Sequence, residues 1–93
     1  MKSLLSALRE KKILISDGAW GTLLHRRGLQ PGECPELWNI THRHEVLAVA
    51  KSYIEAGSDM ILTNSLGGSP LKLQHYGLAD RTSELNEAAA VIS

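Results

Sequence analysis

Two short polar stretches carry the residues best suited to hold a small ligand. Asp17-Gly18-Ala19-Trp20-Gly21-Thr22 offers a carboxylate and a spaced pair of glycines. Glycine at 18 and 21 permits close backbone approach and positive φ, so amides there can face an anion. Asp17 suits a ligand ammonium. The same residues also suit a plain turn, with Asp17 capping it and the glycines making it. Thr63-Asn64-Ser65-Leu66-Gly67-Gly68 places three successive hydrogen-bonding side chains ahead of a second glycine pair. A ligand-lining loop and a hydrogen-bonded turn both fit that pattern.

The remaining reactive side chains are scattered. His42 and His44 lie two apart at the start of a helix and do not share a face as a metal pair would. His25 and His75 each stand alone on helical surface. Cys34, the one cysteine, sits in Glu33-Cys34-Pro35-Glu36 with no basic neighbour to lower its thiol pKa, and reads as an unreactive loop thiol. One cysteine excludes an internal disulfide and a multi-cysteine zinc site within these residues.

The elements that must position these stretches follow from periodicity. Ser3 caps a short helix through Glu10 with Leu4, Leu5 and Leu8 on one stripe. Ile13–Ile15 is an apolar run of the kind that forms a buried parallel strand, ended by Ser16-Asp17-Gly18. Trp20 to Arg27 makes about two helical turns, with Gly28 the stop. Gln30-Pro31-Gly32 is turn chemistry. Thr41 caps a longer helix whose buried face is Val46, Val49, Ala50 and Tyr53, ending at Gly57. Met60–Leu62 is a second strand-like run. Ser69-Pro70 opens a helix to Tyr76 and Gly77, and Asp80 caps a last one with Leu85, Ala88, Ala89 and Ile92 at helical spacing. Trp20 and Trp38 read as aromatic closures of a core, and Tyr53 as packing.

Strand, helix, strand, helix in that order predicts α/β architecture with Ile13–Ile15 and Met60–Leu62 as parallel neighbours. Ligands in such folds sit at the carboxyl ends of strands, where both polar stretches fall. Two strands leave open edges, which predicts association. The last helix reaches Ser93 without a glycine or proline stop, so residues 1–93 read as a fragment of something longer.

Ten basic and ten acidic side chains leave no electrostatic footprint for nucleic acid or anionic membrane. The terminus with Lys2, Arg9, Lys11 and Lys12 has no apolar run of signal-peptide length, and no stretch reaches the length of a membrane span. The expectation is a cytoplasmic protein.

Taken in order, several segments resemble the homocysteine S-methyltransferase family. Ser16-Asp17-Gly18-Ala19-Trp20-Gly21-Thr22 resembles its opening strand-loop. Cys34-Pro35-Glu36-Leu37-Trp38-Asn39 resembles its Pro-Glu-Leu-Trp-Asn stretch, and Ala56 through Ser65 its second-strand signature. Tyr76-Gly77-Leu78 and Glu84-Leu85-Asn86 continue the match. The Asn64 to Gly68 variant is most similar to the betaine-homocysteine and cobalamin-dependent methionine synthase-like branches, with Leu66 in place of their usual Phe.

The resemblance implies a (βα)8 TIM barrel, of which this chain would hold the first two βα units. It implies a zinc ion that makes the homocysteine thiol a thiolate, which attacks a methyl group to give methionine. The methyl comes from betaine, a sulfonium or a cobalamin-bound methyl. The family's zinc-ligand cysteines lie late in the barrel and have no counterpart here, Cys34 included, so the isolated chain is expected to be inactive and to carry neither metal ligands nor catalytic residues. What carries over is the substrate side: Asp17, Gly18 and Ala19 with the amino-acid end of homocysteine, and Thr63, Asn64 and Ser65 lining the same pocket. A complementing fragment or self-association would complete the barrel. Two other readings fit the residues: a non-catalytic binding or assembly module of two βα units, and an unrelated phosphate-binding α/β barrel enzyme.

Overall fold

The computed structural model describes residues 3–11 and 13–93; Met1, Lys2 and Lys12 lie outside the described residues. The fold is helical. Among the described residues six α-helices follow one another: α1 (Leu4–Lys11), α2 (Gly21–Arg26), α3 (Trp38–Thr41), α4 (Arg43–Glu55), α5 (Pro70–Leu73) and α6 (Thr82–Ile92). Short 3-10 turns at Pro35–Leu37, Gln74–Tyr76 and Ala79–Arg81 join them.

The expected α/β architecture is overturned. Among the described residues there is no strand and no sheet, so no βα unit of a barrel is formed. The two apolar runs do lie side by side and parallel, but they meet at a single isolated bridge, Ser16 to Met60. Around it the Asp17 amide donates to the Met60 carbonyl (3.1 Å), and the Asp59 and Met60 amides both donate to the Ile15 carbonyl (2.7 and 3.3 Å). Two carboxylates take up flanking amides: Asp59 Oδ2 accepts from Ile15 N and Asp17 Oδ2 from Leu62 N, both at 2.9 Å. The physical reason lies in burial. A parallel strand is stable when both faces are covered, and here Ile13, Ile15, Met60 and Leu62 are exposed.

Where local signals dominate, the expected elements are present. The Ser3 hydroxyl accepts the Ser6 amide (3.1 Å) and opens α1, although Leu4, Leu5 and Leu8 stay exposed and the helix buries nothing. Gly28 follows α2. Pro31 and Gly32 (φ +89) occupy the centre of a turn closed by the Glu33 amide on the Gln30 carbonyl (3.0 Å), as a Pro-Gly pair favours. Val46, Val49 and Ala50 are buried on α4, Tyr53 is half-buried, and Gly57 at φ +109 lies just beyond the helix. The Ser69 hydroxyl accepts the Lys72 amide (3.3 Å) ahead of Pro70, and left-handed Gly77 (φ +70, ψ 24) ends the following 3-10 turn.

Two expected caps are displaced. Thr41 does not start α4: residues 35–41 are already helical, Thr41 Oγ1 donates back to the Leu37 carbonyl (3.3 Å), and the break falls at His42 (φ −135, ψ 49). Asp80 lies inside the Ala79–Arg81 turn, and α6 begins at Thr82, whose hydroxyl donates to the Ala79 carbonyl (2.6 Å). Leu85, Ala89 and Ile92 are nonetheless the buried face of α6, with Ala88 half-buried.

Two cores result. Leu24, Leu29, Trp38, Val46, Val49 and Ile92 form the larger, with Trp20, Leu23, Leu47 and Tyr53 against it. Cys34, Leu73 and Leu85 form the smaller. Trp38 is thus a core residue, while Trp20 stands at its margin.

Candidate functional site

The first stretch is held by Asp17. Its Oδ1 accepts the Ser16 hydroxyl (2.9 Å), and its Oδ2 accepts the Trp20 indole N–H (2.5 Å) and the Leu62 amide (2.9 Å). Partial burial pushes the Asp17 carboxyl up, but the bonds from Trp20, Leu62 and Ser16 together outweigh it and leave it below the ordinary carboxylate value. It is ionised at neutral pH. The Tyr53 hydroxyl donates to the Ala19 carbonyl, and a Cβ on Gly18 would lie 3.3 Å from that same hydroxyl. Tyr53 therefore fixes the loop as well as packing beneath it. Gly18 and Gly21 do not adopt positive φ; at Gly18 the requirement is close approach instead, and at Gly21 nothing lies within 4 Å of the added Cβ.

The second stretch rests on a buried polar cluster. Asn64 Nδ2 donates to the Pro35 carbonyl (2.8 Å) and to Asn39 Oδ1 (3.0 Å). Asn39 Nδ2 returns a bond to the Asn64 carbonyl (2.9 Å) and reaches the Leu85 carbonyl (3.3 Å). Glu36 Oε2 accepts the Gly67 amide (3.0 Å), and Asn86 Nδ2 donates to the carbonyls of Gly68 and Thr82 (both 2.8 Å). Asn39, Glu36 and Asn64 are 0%, 5% and 6% exposed, and no buried side-chain polar atom among the described residues lacks a partner. Thr63 and Ser65 bond hydroxyl to hydroxyl nearer the surface. The glycine pair serves packing: an added Cβ would stand 3.1 Å from Glu36 Oε1 at Gly67 and 2.6 Å from Asn86 Oδ1 at Gly68. Neither has positive φ.

A cleft of about 410 Å³ opens beside this cluster, walled by Trp20, Leu24, Pro35, Glu36, Asn64 and Tyr76 among others, with Leu66 at its rim and 93% exposed. Of the six expected site residues, only Asn64 lines it. Asp17, Gly18, Ala19, Thr63 and Ser65 lie outside the cleft wall; Asp17 is tied to the backbone at Leu62 and Met60, and the Thr63 and Ser65 hydroxyls bond each other. Glu36 and Asn39 went unassigned at the sequence level. The signal for them was available: three residues apart in Pro35-Glu36-Leu37-Trp38-Asn39, they share one face of a helical turn.

The other candidates take surface or structural places. Cys34 is buried, its Sγ–H directed at Glu36 Oε1 (3.4 Å), and burial pushes its thiol up. His42 stacks on Trp38 with ring centroids 4.1 Å apart, and His25 Nδ1 lies 2.6 Å from the Leu29 carbonyl. Among the described residues no three His, Cys, Asp or Glu side chains gather as a metal-holding group, and no helix is long and apolar enough to cross a membrane.

Comparison with known proteins bears on both stretches at once. Residues 14–93 match the sequence model of the family described as homocysteine S-methyltransferase. Two methionine synthases, from Mycobacterium leprae and Mycobacterium tuberculosis, are each 32% identical over 89% of this chain. The chain spans only 7% and 8% of the length of those relatives. A match that runs from before Asp17 to the end of α6 makes this chain a member of the homocysteine S-methyltransferase family.

Proposed function

We propose that this chain supplies the homocysteine-binding side of a methyltransferase that moves a methyl group onto the thiol of homocysteine to give methionine. The observation that supports the reading is the bond from the Leu62 amide to Asp17 Oδ2, which ties the first stretch to the residue just before Thr63. In this reading the Asp17 carboxylate holds the substrate ammonium. It is ionised, and Oδ1 accepts one bond where a carboxylate oxygen can accept two. The Gly18 and Ala19 backbone and the side chains of Thr63, Asn64 and Ser65 hold the rest of the amino-acid end. Leu66 and Trp20 offer apolar surface to the methylene chain.

The family implies zinc, and the residues present do not fit it. The one thiol is buried, bonded to a carboxylate and raised in pKa, the opposite of what a thiolate ligand needs. No step assigned to this chain runs through a metal.

The test is a hybrid in which this chain replaces the matching segment of a mycobacterial methionine synthase. Methionine formation by the hybrid, with its homocysteine requirement raised by Asp17→Ala and zinc content unchanged, supports the reading. A folded, zinc-loaded hybrid whose homocysteine kinetics ignore Asp17→Ala makes Asp17 a turn former only.

A further inference from the structure

Asn39 bonds the second loop, through Asn64, and also the last helix, through the Leu85 carbonyl. It is fully buried and touches none of the cleft. The two asparagines exchange donor for acceptor, a pairing that requires an N–H and a carbonyl on each partner. A buried carbonyl left without its donor costs more than the bond itself contributes. Asn64, the partner, is the expected site residue that lines the cleft.

We propose that Asn39 is a positioning residue for the Thr63–Gly68 loop: its side-chain amide, shared between the Asn64 and Leu85 carbonyls, sets where the loop stands over the cleft. Its bearing on homocysteine rests on the function proposed above; its bearing on the loop does not.

Asn39→Asp keeps the shape and one acceptor but removes the donor. Ionised, the introduced carboxyl faces two carbonyls with no proton to give; protonated, it regains one O–H donor. Burial raises its pKa, so protonation returns as pH falls from about 8 toward 5. Amide hydrogen exchange of the full chain, followed by NMR and expressed as the variant-to-wild-type ratio at each pH, reads the effect. We expect the Gly67 and Gly68 amides to exchange about tenfold faster in the variant at pH 8, the loss of one buried bond. The ratio should return toward one near pH 5, while the Val49 and Ala50 amides of α4 keep a ratio near one throughout. Equal rates at pH 8, a ratio that does not change with pH, or an equal rise in α4 would each overturn the proposal.

Should the variant not fold, the wild-type chain decides. The Asn39 side-chain amide protons should exchange far more slowly than those of exposed Gln74, and equal rates would overturn the proposal. Homocysteine added to the wild-type chain separates the two ideas: no shift at residues 17–19 and 63–65 counts against the function, and the exchange ratios still decide Asn39.

Discussion

The carboxylate of Asp17 accepts the backbone amide of Leu62, forty-five residues further along, at 2.9 Å. One side chain thereby joins the two polar stretches that were read separately from the sequence, and it does so where a strand ladder would otherwise have been needed.

Removing that carboxylate should therefore cost stability as well as substrate affinity. Asp17→Ala is expected to lose about 1–3 kcal/mol, since the Leu62 amide and the Trp20 indole both lose a charged acceptor. Asp17→Asn, which keeps one acceptor oxygen, should lose less. Urea unfolding of the three proteins measures this, and equal midpoints would show that the bridge contributes nothing.

Acid should unfold the chain through the same groups. The Asp17 carboxyl is held low as described above, and Asp59 is held low first by the Lys11 ammonium and then by the Ile15 amide. A carboxyl that binds its proton less tightly in the folded state stabilises fully above its unfolded value, ordinarily 3.8. That stabilisation is lost as pH falls through the lower folded value. Melting temperature should thus hold steady from pH 7 to 5 and fall steeply below about pH 4, in the range where carboxylates protonate. Asp17→Asn with Asp59→Asn should flatten that acid limb; an unchanged limb would assign it to other carboxylates.

Gly68 is fixed by its surroundings and not by its backbone. An added Cβ would meet Asn86 Oδ1 at 2.6 Å and the Ser65 carbonyl at 3.0 Å, and Asn86 is itself held by two bonds. Gly68→Ala is expected to destabilise by about 1–3 kcal/mol, the usual range for overfilling a packed site. Gly21→Ala, with nothing within 4 Å of the new Cβ, should be nearly silent by comparison. Thermal melts of the two variants side by side check this.

Exposed apolar side chains gather on α1 and the bridged runs, with Leu4, Leu5, Leu8, Ile13, Ile15, Met60 and Leu62 all open. An apolar surface of that kind left open to water favours association. Light scattering over a concentration series should show growing assemblies, and Leu5→Lys with Ile13→Lys should reduce them. A concentration-independent monomer would remove the expectation of self-association.

Legibility in the sequence divides by distance. The α4 face, the Ser69 cap and the stops at Gly57 and Gly77 are local matters of spacing and backbone φ, and each stands where the residues put it. Ile13–Ile15 and Met60–Leu62 were read as strands because short apolar runs favour them, yet sheet formation depends on what covers both faces, which three residues do not encode. Thr41 and Asp80 suit caps by residue type, but the short helical turns ahead of α4 and α6 leave little trace in periodicity. The acceptor role of Glu36 depends on Gly67, thirty-one residues on, which supplies its partner.

The arrangement of the two tryptophans makes the chain its own optical reporter. Phenylalanine is absent, and Trp20 and Trp38 are the only indoles. They report on different things. Trp20 hydrogen-bonds the same carboxylate oxygen that joins the two loops, so its emission should change when that bridge opens. Trp38 lies buried under the His42 ring at an interplanar angle of 19°, so its emission reads the packing at the start of α4. Single replacements, Trp20→Phe and Trp38→Phe, would separate the two signals. Fluorescence could then follow the loop junction through one indole and the packing at the helix start through the other, with no dye attached.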